Sequence, residues 1–212
     1  MRALIKICGV TSIDDALHIA GLGVDFIGLN FWPRSKRHIA MDRGADLVRH
    51  VRAAHSATQI VGVFVDPTID DVVTHSANAK LDIVQLHGSE TAQFCTAIAR
   101  AVQRPVWKAL SVATAADVAE LTAWPVDAIL LDAPSSGRGG AGLPFDHALA
   151  REARDRYPGI RLVLAGGLNP TNVAAAARLV TPWCVDVASG VESAPGVKDP
   201  ARVSAFVAAV RG

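Results

Sequence analysis

The chain has 212 residues, half of them apolar, with 21 Lys and Arg against 20 Asp and Glu, so a single globular domain spanning 1–212 with an ample core is the expected size class. The charges nearly cancel and are spread along the chain, which removes the basic footprint of a nucleic-acid or membrane-surface binder. No apolar run approaches the roughly 20 residues of a membrane span, and Arg2 and Lys6 place charge too early for a secretory signal, so a cytoplasmic protein is expected.

In chain order, strand-like and helix-like segments alternate. Residues 3–8 read as a strand that ends on Lys6-Ile7-Cys8-Gly9, followed by a helical pattern over 14–21. A strand over 26–31 leads to a helix over 42–54, a strand over 59–65 to a helix over 69–79, and a strand over 83–87 to a helix over 90–101. Strands over 105–110, 128–132, 161–165 and 184–188 precede helices over 115–123, 146–155, 171–180 and 201–210. Eight alternations in one direction call for a parallel sheet, and eight is the number that closes a (β/α)8 TIM barrel. A doubly wound open sheet is the competing architecture.

In a barrel of this kind the chemistry sits at the C-terminal ends of the strands. That places Cys8, Asn30, Asp66, His87, Asp132, Gly167 and Ser189 around one mouth. A lone cysteine on a strand is usually core, and Cys95 and Cys184 are read that way. Cys8 differs because Gly9, Thr11, Ser12 and Asp14 follow it, the composition of a mouth loop entering a capped helix. The three cysteines are too far apart and too irregular for a disulfide framework or a zinc site, and no metal is expected. His87 reads equally as a structural histidine or a ligand contact.

Two loops point to a phosphate. Gly166-Gly167 precedes Asn169-Pro170-Thr171, where Asn169 is expected to cap the helix and Pro170 to occupy its first turn. Ser189-Gly190 follows the last strand. Backbone N–H groups there can approach an anion, so a phosphorylated small molecule is the expected partner. The glycine-rich stretch over 135–142 reads as a linker or a lid. Lys6 shares the alternating face of Cys8 and is expected to pair with Asp186 on the last strand inside the barrel.

Taken together, Lys6-Ile7-Cys8-Gly9, Phe31-Trp32-Pro33-Arg34-Ser35-Lys36-Arg37, Gly62-Val63-Phe64-Val65, Val84-Gln85-Leu86-His87-Gly88, Leu131-Asp132, Ala165-Gly166-Gly167-Leu168 and Val185-Asp186-Val187-Ala188-Ser189-Gly190-Val191-Glu192 resemble the phosphoribosylanthranilate isomerases. The likeness runs on to Pro195-Gly196-Val197-Lys198-Asp199. It implies a cofactor-free Amadori rearrangement in the tryptophan branch, by a monomer or homodimer. Cys8 would be the general base, Asp132 the general acid and Arg37 the receptor for the anthranilate carboxylate. Gln85, His87, Gly166, Gly167, Ser189 and Gly190 would complete the substrate site. Two positions depart from the pattern: Ala188 stands where a serine is common, and the lid reads Arg138-Gly139-Gly140-Ala141-Gly142-Leu143-Pro144. A thiolate base requires the Cys8 pKa to fall toward neutrality beside a positive group.

Overall fold

The switch from a period of two to a period of 3.6 residues does occur eight times in the computed structural model, which describes residues 2–55, 57–132 and 147–212. The strands are β1 (Leu4–Cys8), β2 (Phe26–Asn30), β3 (Gln59–Phe64), β4 (Ile83–Leu86), β5 (Val106–Ser111), β6 (Ala128–Asp132), β7 (Leu162–Leu164) and β8 (Cys184–Val187). They pair in parallel in that order, and β8 returns to β1 to close a barrel. Around it lie α1 (Ile13–Gly21), α2 (Met41–Ala54), α3 (Ile69–Asn78), α4 (Ala92–Val102), α5 (Ala115–Ala119), α6 (His147–Arg156), α7 (Val173–Val180) and α8 (Pro200–Arg211). A short antiparallel hairpin, β9 (Glu192–Ala194) and β10 (Val197–Lys198), stands between β8 and α8. No helix among the described residues is long and apolar enough to cross a membrane.

Successive side chains on a strand point to opposite faces, and this sorts the core into two bodies. Ile5, Ile7, Ile27, Leu29, Ile129, Leu131, Val185 and Val187 face outward and pack with the helices. Phe26, Val61, Ile83, Trp107, Ala128, Leu130, Val163 and Cys184 face inward and fill the barrel. At the N-terminal end Phe26, Trp107 and Trp183 form a mutually packed trio with ring centroids 5.0–5.7 Å apart. Such contacts each add about 0.5–1.5 kcal/mol beyond area burial. They plug the barrel from below.

Above the plug the interior turns polar. Lys6 lies directly beside Asp186 in the β1–β8 register, and its Nζ donates to Asp186 Oδ1 at 3.0 Å. The expected pair is therefore present, with the Lys6 side chain fully buried and that of Asp186 9% exposed. Burial alone would pull the ammonium down, but Asp186 and the Cys8 sulfur outweigh it and raise Lys6 above the ordinary lysine range.

Several element limits differ from the expected ones for local reasons. The helix expected over 115–123 stops at Ala119, and a 3-10 turn, Leu121–Ala123, takes over. Pro125 follows Trp124 and holds it extended, so the helix has to tighten and end. Glu90 stays outside α4, which starts after the Thr91 cap, because its carboxylate accepts from the backbone N–H groups of Asp66 and Gly88. Asn169 does not cap α7: its Oδ1 accepts from the N–H groups of Thr171 and Asn172 in a turn, and the helix begins at Val173. The first residue of the helix expected over 146–155, Asp146, lies outside the described residues.

Removing one member of a buried ion pair leaves an uncompensated charge, at a cost of about 3–5 kcal/mol. Lys6→Met is expected to lower stability by about that amount in urea unfolding, and the double change Lys6→Met/Asp186→Leu to recover most of it. Equal loss in the single and double variants would show that the two side chains do not act as a pair.

Candidate active site

Cys8 ends β1 on the inward face, opposite Gly28 of β2. A side chain at position 28 would bring its Cβ to within 2.8 Å of the Cys8 sulfur, so the glycine leaves the room that the thiol occupies. The sequence signal for Gly28 is weak, a small residue at the mouth end of a strand. Cys8 is partly exposed, and its thiol interacts with the Lys6 ammonium below it. Burial pushes the thiol up, Lys6 pulls it down, Asp186 pushes it up again and Lys198 pulls it down, with burial prevailing. The lowered thiol expected from the sequence is therefore not found, because burial outweighs the pull of Lys6 and Lys198, and Asp186 adds to it. Cys95 and Cys184 are buried, as expected of core cysteines.

Arg37 reaches over β1 from the β2–α2 loop. Gly9 makes this possible: its φ of +73° is left-handed, and a Cβ there would run into the Arg37 side chain. Arg34 and Lys36 are exposed, whereas Arg37 is turned inward with 16% of its side chain accessible. Its Nε and Nη2 donate to the two oxygens of Glu192 at 2.8 and 2.7 Å. The side-on fork of the guanidinium is thus occupied by Glu192, and Nη1 is the guanidinium nitrogen that Glu192 does not engage. Glu192 also accepts from Lys198 Nζ at 2.8 Å. Burial favours the neutral acid, but Arg37 and Lys198 together hold Glu192 below the usual carboxylate range. Neither Glu192 nor Lys198 was assigned a role from the sequence.

Across the barrel, Asp132 ends β6 and Gln85 and His87 stand at the end of β4. His87 Nε2 lies 3.5 Å from Asp132 Oδ2, and Gln85 Nε2 lies 3.2 Å from His87 Nδ1. Gln85, His87 and Asp132 thus form a polar chain that ends on the carboxylate. Gln85 is 1% exposed and works from behind His87, and its Oε1 is buried with no hydrogen-bond partner among the described residues. The turn after His87 is held by a buried pair from the outer face of β5. Lys108 Nζ donates to Gly88 O at 2.8 Å and Glu90 Oε2 at 2.9 Å.

The two glycine loops meet. Gly166 and Gly167 have φ of +80° and +71°, a consecutive left-handed pair that only glycine adopts without strain. Gly190 lies so close to the carbonyl of Leu168 that a Cβ would collide with it. Ser189–Val191 forms a 3-10 turn beside them, and Ser189 is exposed. The loops after β7 and β8 thus make one continuous rim, the geometry an anion cradle needs. Asn30 and Asp66, placed at the mouth from the sequence, serve loop backbone: Asn30 accepts from Trp32 N–H and Asp66 from Ser89 N–H. The lid read over 135–144 lies outside the described residues. Among the described residues no cluster of side chains is arranged to hold a metal ion.

Residues 5–209 match the family described as N-(5'phosphoribosyl)anthranilate (PRA) isomerase. An N-(5'-phosphoribosyl)anthranilate isomerase of Magnetococcus marinus is 44% identical over 213 residues, covering all of this chain and 96% of its own. The crystal structure of phosphoribosyl anthranilate isomerase from Thermotoga maritima is similar with a TM-score of 0.88 at 36% identity, covering 99% of each chain. A phosphoribosyl anthranilate isomerase in complex with reduced 1-(o-carboxyphenylamino)-1-deoxyribulose 5-phosphate has a TM-score of 0.85 at 34% identity, again over 99% of each chain.

The balance of charges around Cys8 has a measurable sign. Because the folded thiol is raised above its ordinary 9.0, alkylation of the free protein by iodoacetamide is expected to stay slow until the pH passes that value. Lys6→Met removes the larger of the two opposing cations and is expected to move the rise further up. A Cys8 that alkylates fully at neutral pH would contradict the burial argument.

Proposed function

The chain belongs to the N-(5'-phosphoribosyl)anthranilate isomerase family and isomerises that compound, and we propose that it does so with Cys8 as general base and Asp132 as general acid. The observation that carries the assignment is the placement of a thiol and a carboxylate on the inward faces at the mouth ends of β1 and β6, three strands apart around the ring. Arg37 receives the anthranilate carboxylate, and the rim of Gly166, Gly167, Ser189 and Gly190 receives the phosphate. We further infer a place in tryptophan biosynthesis, a cytoplasmic setting and a monomeric or homodimeric enzyme.

The reaction needs two proton transfers on opposite sides of one sugar. Asp132, protonated, gives its proton to the furanose ring oxygen as the amine nitrogen pushes the C1–O bond open, leaving an iminium at C1. Cys8, as thiolate, then takes the proton from C2, and the C–H electrons form the C1–C2 double bond of an enolamine that tautomerises to the ketone. Hydrogen moves from C2 to C1 and the sum is redox-neutral, so the chemistry calls for no electron-carrying cofactor. The iminium brings a positive charge next to Cys8 at the step that needs the thiolate, which works against the burial that holds the thiol up. His87, backed by Gln85, fixes the Asp132 carboxyl on the far side.

Cys8→Ser and Asp132→Asn should each lower turnover by at least about 10²-fold, the loss typical of a general acid or base, while product-analogue binding survives. The bell-shaped pH profile should lose a different limb in each. A Cys8→Ser enzyme with wild-type turnover would make the thiol structural. For the phosphate rim, Gly190→Ala should force the two loops apart, raising KM and weakening competition by inorganic phosphate with kcat little changed. Unaltered phosphate competition in that variant would move the anion site elsewhere.

A further inference from the structure

Lys198 has no part in the proton transfers, yet it is deeply committed at the mouth. It is 3% exposed on β10, and its Nζ donates to the carbonyls of Cys8 and Ala188 at 2.6 and 3.1 Å and to Glu192 Oε1 at 2.8 Å. The hairpin that carries it is pinned to the β1–α1 loop and the first turn of α1: Thr11 Oγ1 donates to Gly196 O at 2.6 Å, and Lys198 N–H donates to Asp15 Oδ2 at 3.2 Å. Glu192, at the other end of the hairpin, holds both Nε and Nη2 of Arg37.

The charges of this triad do not cancel. Arg37 and Lys198 contribute two positive charges and Glu192 one negative, so one unit of positive charge remains. Without Lys198, Glu192 would neutralise Arg37, and an incoming carboxylate would meet a spent guanidinium with a second carboxylate behind it. With Lys198 in place, Glu192 still orients the guanidinium but does not exhaust it.

We propose that Lys198 is a positioning residue for the carboxylate subsite: by engaging Glu192 it keeps Arg37 oriented through Nε and Nη2 and charged toward a ligand at its Nη1 end. The inference rests on Arg37 as the receptor for the anthranilate carboxylate. The competing account is purely mechanical, with Lys198 tying the Cys8 and Ala188 carbonyls together. The two accounts differ in what they predict for ligands with and without a carboxylate.

The probes are reduced 1-(o-carboxyphenylamino)-1-deoxyribulose 5-phosphate and the same compound without its carboxyl group, titrated calorimetrically into the intact protein. The readout is the ratio of the two affinities. Lys198→Gln keeps hydrogen-bond donors for the two carbonyls but removes the charge; it is expected to lower the ratio at least about tenfold while leaving the carboxyl-free compound within about twofold of wild type. Lys198→Met should do the same, which gives a second variant if one fails to fold. Adding Glu192→Gln to either should bring the ratio back up, since Arg37 then regains a net charge. A lysine variant that weakens both compounds equally, or leaves the ratio at the wild-type value, would overturn the proposal in favour of the mechanical tie. Failure of Glu192→Gln to restore the ratio would overturn the charge account. Arg37→Ala separates the two levels: if it leaves the ratio unchanged, Arg37 is not the carboxylate receptor and the proposal falls with it. If it collapses the ratio while the Lys198 variants do not, only the proposal falls.

Discussion

The barrel closes where β1 meets β8, and everything at the mouth is referred to that seam. Lys6 and Asp186 face each other across it with the lysine side chain fully buried, so a shift of one residue in the register of the closing strands would break the pair. The aromatic trio lies below the pair and the Cys8 sulfur above it. Because Cys8 is two residues beyond Lys6 on the same face, the ion pair also sets how deep the thiol sits. Gly9, immediately after, is the surface over which Arg37 lies. The base and the carboxylate receptor are thus anchored to one strand end.

Among the described residues three buried lysine–carboxylate pairs support the mouth from within or behind it: Lys6 with Asp186, Lys198 with Glu192, and Lys108 with Glu90. Well-packed apolar residues in such positions are often as stabilising, so ion pairs here argue for specificity of arrangement more than for stability. Each one fixes a different part of the mouth. The first sets β1 against β8, the second joins the C-terminal hairpin to the ends of the same two strands, and the third holds the turn behind His87. The electrostatics of the cleft follow from which of these pairs is balanced and which carries a surplus.

Much of this was legible because it depends on short-range periodicity. Alternation along 3–8 and 184–188 was enough to place Lys6, Cys8 and Asp186 inward, and the recurrence of strand ends was enough to bring Cys8 and Asp132 to one rim. The fold class follows from the same rhythm. What stayed hidden depends on contacts that no local pattern encodes. Arg37 meets Glu192 across 155 residues, and Lys198 meets the Cys8 carbonyl across 190. Glu192 and Lys198 belonged to a recognisable stretch, but their use in orienting a guanidinium requires the hairpin to fold back over β1. The direction of the Cys8 shift was hidden for another reason: it is a sum in which burial and Asp186 oppose Lys6 and Lys198, and one neighbour gives the wrong sign. The start of α7 was misplaced because Asn169 has two local options, and its turn with Thr171 and Asn172 prevails over a helix cap.

The hairpin has a consequence for how the molecule is made. The N-terminal strand emerges first during synthesis, yet its lysine waits for a residue 180 positions later, and Arg37 and the Cys8 carbonyl wait for the hairpin beyond that. Loop closure over such separations is entropically slow. Most of the strands and helices can be in place while the first strand still lacks its last neighbour. The receptor is complete only once the hairpin has docked. A nascent or prematurely terminated polypeptide that ends before the hairpin would lack the clamp on Arg37 and the tie to Cys8, and so would present no finished receptor for its substrate.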